Sequence, residues 1–264
     1  MKFEDVFRHT FKALRQQIGS EVKRQVDFIL PSIAMVEACR ADDFDFFRPA
    51  IDAGLLTVDN MHHAANRYHL GKTKSGRPIF WMIDETGTPL DAHIGTSGWL
   101  SALLKKREPL LQGWQVEHCL FGQHLLMSDV RWKKEDGRGS RNATLCPPTS
   151  PLIPQPSNIS VVCIVESERS AVVLSELYPE SLWMATDYAA NLRAELMKPL
   201  DGRRVVLFPP SDESQDTYFA WLEVADQARR MYHLDISVST VLEENATPDQ
   251  KARKIDLVDY LFEQ

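Results

Sequence analysis

The 264-residue sequence has no apolar run of the roughly 18 residues that a membrane-spanning helix needs. It has only four cysteines, which are widely scattered, with no CxxC pair and no spacing of a zinc site. Such cysteines are typical of reduced thiols, so we expect a cytoplasmic protein without contact to a membrane. The net charge of −7 argues against a general nucleic-acid coat protein.

Positive charge is scarce in one part of the chain and enriched in another. Residues 158–264 hold 19 acidic and 10 basic side chains, whereas residues 61–145 hold 12 basic and 8 acidic ones. This division favours two modules with different tasks, although uneven charge is also common in single-function proteins.

Hydrophobic spacing divides the front of the chain into two regions. Apolar residues three and four positions apart predict a helical segment over residues 1–60, including a helix around Ser32–Cys39 and a short helical stretch that ends by Gly54. Shorter runs predict a small α+β region over residues 61–127. Its strand Pro78–Asp84 lies between two turns, which is typical of a hairpin.

A change of composition follows at residues 128–157. This segment contains five prolines and few core-forming residues, which predicts a linker or long loop that proteases cut preferentially, leaving a stable fragment from near residue 158. Residues 158–264 then alternate apolar strands with helices. The predicted elements include a buried strand at Ser160–Val165, helices at Asn191–Leu200 and Thr217–Tyr232, and a last strand at Ile236–Leu242. The fold class that we predict is therefore α/β, with a C-terminal parallel sheet covered by helices on both faces.

Acidic side chains follow the predicted strands of this sheet. Glu166 and Glu168 come after the first strand, Asp187 after the second, and Asp212 and Glu213 after the third. Ligands of parallel α/β sheets bind outside the carboxyl ends of the strands. Of these acids, Glu166, Asp212 and Glu213 are the carboxylates predicted to meet at one edge. Carboxylates clustered in this way suit Mg²⁺, which takes oxygen ligands. The alternative is that these acids cap the following helices, whose dipoles favour negative charge.

The segment Ile164–Ala171, IVESERSA, resembles the opening motif of toprim domains, the metal-binding module shared by bacterial primases and topoisomerases. Further segments from residue 61 to the C-terminus are similar to an uncharacterised primase-related, toprim-like group of bacterial mobile elements. They are YHLGKTK at Tyr68–Lys74, IFWMID at Ile79–Asp84, CLFGQHLL at Cys119–Leu126, VVLFP at Val205–Pro209 and DLVDYL at Asp256–Leu261.

The resemblance implies a metal site and its catalytic residues. Toprim domains carry a glutamate after the first strand, which Glu166 matches, and a later Asp-x-Asp pair. Only Asp212 of that pair remains in Pro210–Asp212, and Glu213 is a candidate to replace the missing ligand. We therefore expect weak Mg²⁺ binding, lost in Glu166→Gln. We also expect little or no primer synthesis or strand cleavage, since phosphoryl transfer depends on metal charge.

Basic residues in the α+β region indicate where nucleic acid would bind. These residues, with Trp81 and Trp99 as stacking groups, predict a surface for single-stranded or duplex DNA; a solvated charged face is the alternative. The predicted contacts are Lys72, Lys74, Arg77, Lys105, Lys106 and Arg107.

Together these features predict a protein of mobile elements that acts on or near nucleic acid, with a degenerate divalent-metal site. If it is an enzyme, its reaction is magnesium-dependent nucleotidyl or phosphoryl transfer, and a replication or mobile-element protein is the implied partner. The alternative is a non-catalytic interaction or regulatory protein on an inherited toprim scaffold.

Overall fold

The computed structural model describes residues 31–95, 98–107, 116–127 and 160–263 of the chain. The first thirty residues of the predicted helical segment and the whole predicted linker, 128–157, lie outside these ranges. No helix within the described ranges is both long enough and apolar enough to cross a membrane.

The described front of the chain forms short helices and a three-stranded antiparallel sheet; the last of these helices follows the sheet in the chain. The helices are α1 (Ile33–Ala38), α2 (Arg48–Asp52), α3 (Val58–Arg67) and α4 (Leu100–Arg107), with a 3₁₀ turn at Asp45–Phe47. The strands, in sheet order, are β1 (Gly71–Lys72), β2 (Pro78–Ile83) and β3 (Pro89–Ile94). The predicted helices near Ser32–Cys39 and before Gly54, and the predicted hairpin, are present.

Strand β2 is apolar at every position because both of its faces are covered. Side chains alternate between the faces of a strand, so Ile79 and Trp81 pack with α1 and α4 in one core cluster. Phe80 and Met82 point to the opposite face and join the main core. The antiparallel register pairs Trp81 with Ala92 of β3.

The rest of the chain forms a four-stranded parallel sheet flanked by helices, as the sequence predicted. Its strands are β4 (Val162–Val165), β5 (Leu182–Ala185), β6 (Arg204–Leu207) and β7 (Asp235–Val238), in the spatial order β5-β4-β6-β7. Its helices are α5 (Glu168–Leu177), α6 (Asp216–Met231), α7 (Val241–Asn245), α8 (Pro248–Ala252) and α9 (Leu257–Phe262), with 3₁₀ turns at Ala189–Asn191 and Ala194–Leu200.

Two sequence expectations for this part need correction. The last strand ends at Val238, and residues expected to extend it to Leu242 instead begin α7 at Val241. The α-helix expected over Asn191–Leu200 is a 3₁₀ segment from Ala194, because Pro199 within it lacks the amide hydrogen that an α-helix requires.

The main core extends across the predicted division at residue 158. It combines Phe47 and Phe80 from the front of the chain with Ile164 and Trp221 from the parallel sheet and its helices. Tyr68 adds a polar contact across the same boundary, since its buried hydroxyl donates to the Trp183 carbonyl over 2.8 Å. The division into modules at 61–127 and 158–264 stays a prediction.

The segment 119–122 covers the free edge of β5. Phe121 exchanges two backbone hydrogen bonds with Ala185, at 2.9 and 3.1 Å. Gly122 follows with φ of +84°, and a Cβ there would lie 2.9 Å from the Trp183 carbonyl oxygen. Only glycine fits both the backbone angle and the close approach. This contact places the front of the chain against the carboxyl end of β5.

Candidate functional site at the carboxyl edge of the parallel sheet

Three side chains from separate elements meet at the carboxyl edge of the parallel sheet. Nδ1 of His93, in β3, lies 3.0 Å from Glu168 Oε1 and 2.9 Å from Asp187 Oδ1. Glu168 begins α5 directly after β4, and Asp187 follows β5 in the left-handed backbone region, at φ +75°. We call His93, Glu168 and Asp187 the edge cluster.

The charged side chains of the edge cluster are largely removed from water. The side chains of His93, Glu168 and Asp187 are only 12%, 5% and 1% exposed. Burial alone lowers the pKa of His93, but the carboxylates of Asp187 and Glu168 outweigh it and raise that pKa to about 10. Burial raises the pKa of Glu168, opposed by His93. The two carboxylates therefore stabilise the protonated form of His93.

One imidazole does not satisfy two buried carboxylates. Nδ1 carries a single hydrogen at most and donates to one carboxylate at a time. Asp187 therefore shares its one near donor, Nδ1 of His93 at 2.9 Å, with Glu168, and no other group in the described ranges donates a hydrogen bond to its carboxylate. Because unpaired buried charge is costly, two carboxylates facing one imidazole leave a negative excess that a divalent cation would balance.

The donor set decides which cations fit. Ligand atoms of the three side chains all lie within 4.8 Å of one another. An imidazole nitrogen that has lost its proton suits Zn²⁺, Mn²⁺ or Fe²⁺ together with two carboxylate oxygens, so a cation bound here displaces the proton of His93. Mg²⁺ prefers oxygen ligands alone. The edge cluster therefore fits a transition-metal ion better than the magnesium expected from the sequence.

Glu166, the residue that matches the toprim glutamate, lies beside the edge cluster but outside it. Its Oε1 accepts a hydrogen bond from the Ala189 amide over 3.1 Å. Burial raises the pKa of Glu166, and the charges of Asp256 and Asp187 add to that effect. The negative charges at this edge therefore disfavour ionisation of Glu166.

Asp212 has the capping role that the sequence left as the alternative. Its carboxylate accepts hydrogen bonds from the amides of Asp216 and Thr217, over 3.0 and 2.9 Å, and from the Ser214 hydroxyl over 2.8 Å. Burial raises the pKa of Asp212, but these bonds lower it to about 2 overall. The neighbouring Glu213 is exposed. Within the described ranges, the possible metal-binding group includes none of Glu166, Asp212 and Glu213.

The predicted nucleic-acid residues lie on two different elements. Lys72 in β1 places its Nζ 5.1 Å from the centre of the Phe44 ring, while Lys74 and Arg77 are exposed in the β1–β2 turn. Lys105 and Lys106 lie on α4, and the side chain of Arg107 lies outside the described part.

The two tryptophans that were expected to stack on bases, Trp81 and Trp99, differ in solvent exposure. The expectation for Trp81 is wrong, because its side chain is completely buried between the antiparallel sheet and its helices. Trp99 is only half-buried and its ring centre lies 5.7 Å from that of His93. Of the two, only Trp99 is open to a ligand.

The sequence places Glu168 and Asp187 after predicted strands, but none of the three members of the edge cluster was predicted as a ligand, and His93 was not singled out at all. His93 lies within a strand, without a neighbouring motif, 75 positions before Glu168. Its only local signal is a polar residue among the apolar positions of β3. The meeting of the three side chains depends on how the two sheets pack.

Comparison with known families adds one finding. A family described as a domain of unknown function (DUF6371) matches residues 146–211, about a quarter of the chain. The matched range includes β4, β5 and β6, and two members of the edge cluster, Glu168 and Asp187. No curated protein matches the chain.

Proposed function

We propose that this protein holds a divalent cation in the edge cluster and uses it to bind phosphate groups of nucleic acid. The observation that carries the proposal is the convergence of His93, Glu168 and Asp187, in which two buried carboxylates share one imidazole nitrogen as their near partner. The edge where they meet is the place where α/β sheets bind ligands.

The toprim-like resemblance supports phosphate as the ligand. A cation bound there would supply positive charge to phosphate oxygens, as metals do in phosphoryl transfer. Glu166 would act beside it by strengthening the field that retains the cation. The partner class that the resemblance implies is DNA together with a replication or mobile-element protein.

We place this function in the cytoplasm. Cys39, Cys119 and Cys163 are free thiols in the structure, which suits a reducing compartment. Burial raises the pKa of Cys39 to about 12, so this thiol stays protonated and unreactive.

Metal titration of the purified protein by isothermal calorimetry tests the proposal. We expect one Mn²⁺ or Zn²⁺ per chain, weaker Mg²⁺ binding, and at least a tenfold loss of affinity in Asp187→Asn. Glu176→Gln is the matched control, because Glu176 pairs with His63 at 2.8 Å, away from the edge cluster. Unchanged metal affinity in Asp187→Asn would contradict the proposal.

A DNA-binding measurement extends the same test. With Mn²⁺ present, single-stranded or duplex DNA should bind more tightly than in a chelator, and Asp187→Asn should remove the difference. Primer synthesis and strand cleavage are assayed in the same samples, and loss of either in Asp187→Asn would assign catalysis to this site.

The second candidate is a non-catalytic interaction protein, and Asp212 favours it. Its carboxylate is already occupied by hydrogen bonds within its own loop and helix. This second function predicts tight association with a partner protein and no binding of metal or DNA.

A further inference from the structure

A cavity of about 490 Å³ adjoins the edge cluster. It lies between helix α4 and the chain that follows β5. Trp99 and Lys105 line one side, and Thr186, Asn191 and Arg193 line the other. This volume is within the range of small-molecule sites in proteins.

Buried hydrogen bonds hold the α4 wall in place. Asp91 of β3 is completely buried and accepts hydrogen bonds from the Ser101 amide, over 3.0 Å, and from the Ser101 hydroxyl. A backbone bridge between His93 and Trp99 joins the start of α4 to the same strand. The Trp99 ring is therefore positioned before any ligand arrives.

The opposite wall is held by a hydrogen bond within the loop after β5 and by contacts from two other elements. The Thr186 hydroxyl donates to the Tyr188 carbonyl over 2.9 Å. Ala189 donates its amide to Glu166 and accepts a 3.0 Å hydrogen bond from the Trp221 indole. Since both walls are fixed, binding would cost little conformational entropy.

The chemistry of the lining selects an anionic, aromatic ligand. None of the described residues that line the cavity is acidic, although the chain carries a net charge of −7. Lys105 and Arg193 supply the positive charges, and guanidinium groups bind phosphate by paired hydrogen bonds. Trp99 offers a ring on which a base can stack, and Asn191 offers an amide for its edge.

We infer that this cavity binds one nucleotide, with its base on Trp99 and its phosphate at Arg193 and Lys105. The inference rests on the proposed function and names its substrate class, because the cavity adjoins the edge cluster through Thr186, next to Asp187, and through Trp99, beside His93. The nucleotide is either free or the terminal unit of a single strand.

Calorimetry with AMP and with a 5′-phosphorylated hexadeoxynucleotide, both in a chelator, tests the inference without metal. We expect AMP to bind the full-length protein, with affinity reduced at least tenfold in Trp99→Leu and in Arg193→Gln. Arg204→Gln is the matched control, because Arg204 is exposed on β6, outside the cavity lining. Tighter binding of the oligonucleotide than of AMP would assign the strand terminus, and the reverse would assign the free nucleotide.

Absence of binding by both probes, or equal binding in wild type and Arg193→Gln, would overturn the inference. Arg193 is exposed, so this variant does not disturb the core. Metal affinity is measured separately in the same preparations. Metal binding without nucleotide binding would refute only the nucleotide pocket, whereas nucleotide binding without metal binding would refute only the metal site.

Discussion

At the scale of single residues, the same side-chain type has different tasks at neighbouring strand ends. Within the described ranges, the buried Asp187 has only His93 Nδ1 as a near donor, shared with Glu168, whereas the buried Asp212 accepts three hydrogen bonds from its own loop and helix. The difference lies in the backbone that follows. Asp212 precedes α6, whose first amides need acceptors, whereas Asp187 stands in a left-handed turn that directs no amide to its carboxylate.

Asp212→Ala tests the capping assignment. Loss of the acceptor for the amides of Asp216 and Thr217 should lower the free energy of unfolding by about 1–2 kcal/mol, measured by urea denaturation at pH 7. Metal affinity should not change. A loss of metal binding without a loss of stability would instead support the toprim role of Asp212.

Unfolding of wild type and of Asp212→Ala at decreasing pH tests whether the ionised carboxylate of Asp212 provides the stabilisation. The folded-state pKa of Asp212, about 2, lies below the usual value of 3.8. Its stabilising contribution is therefore present above pH 3.8 and is lost as the pH falls through 2. The stability difference between wild type and Asp212→Ala should shrink over that interval, and a constant difference would exclude an ionised cap.

At the scale of elements, the segment 119–122 connects the two sheets through one close contact. Gly122→Ala adds a Cβ 2.9 Å from the Trp183 carbonyl and 3.0 Å from the Tyr68 ring, in a left-handed conformation. We expect a loss of about 2–3 kcal/mol in the free energy of unfolding, from backbone strain and overpacking together.

Gly202→Ala separates these two causes. Gly202 has a similar φ of +74°, but a Cβ there meets nothing within 4 Å. Its substitution should cost only the strain, about 1 kcal/mol. Equal losses in the two variants would show that the approach of segment 119–122 to β5 is not tight.

A second prediction at the scale of elements concerns DNA binding by the basic end of α4. Replacing Lys105, Lys106 and Arg107 with alanine should weaken DNA binding for all sequences alike. The magnitude of the negative slope of log affinity against log salt should decrease by up to about 3, because fewer phosphate contacts release fewer counterions. Fluorescence anisotropy at several salt concentrations measures both effects.

A charge-matched triple variant is the control for α4. Lys198, Arg204 and Arg230 are exposed in the acidic part of the chain, and their replacement with alanine removes the same charge. If both triple variants weaken binding equally, net charge alone acts and α4 is not the contact surface.

At the scale of the whole molecule, one core contains residues from both sides of the segment 128–159. Phe47 and Phe80 pack in the same cluster as Ile164 and Trp221. We therefore expect that a protease site engineered between residues 140 and 150 yields two fragments that stay associated in size-exclusion chromatography. Fragments that separate without denaturant would show that 61–127 and 158–264 are independent modules.

The sequence by itself determined the elements of this protein, because their signals are local. The apolar run Ser160–Val165 predicted a buried parallel strand, which is β4 at Val162–Val165, and the amphipathic spacing of Thr217–Tyr232 predicted α6. The acids after each strand were visible as well, and the capping alternative for Asp212 follows from its position before a helix. The end of β7 was predicted too late because Val241 and Leu242, which begin α7, continue the apolar pattern of the strand.

Only the tertiary structure decided which of those residues meet. His93 and Glu168 are 75 positions apart, and no local rule relates a histidine in an antiparallel strand to the end of a parallel one. Their contact depends on Phe121 and Gly122 docking against β5 and on Phe80 entering the shared core. The edge cluster and the adjoining cavity arise where those two sheets come together, because packing of distant segments, rather than backbone propensity, brings their side chains within bonding distance.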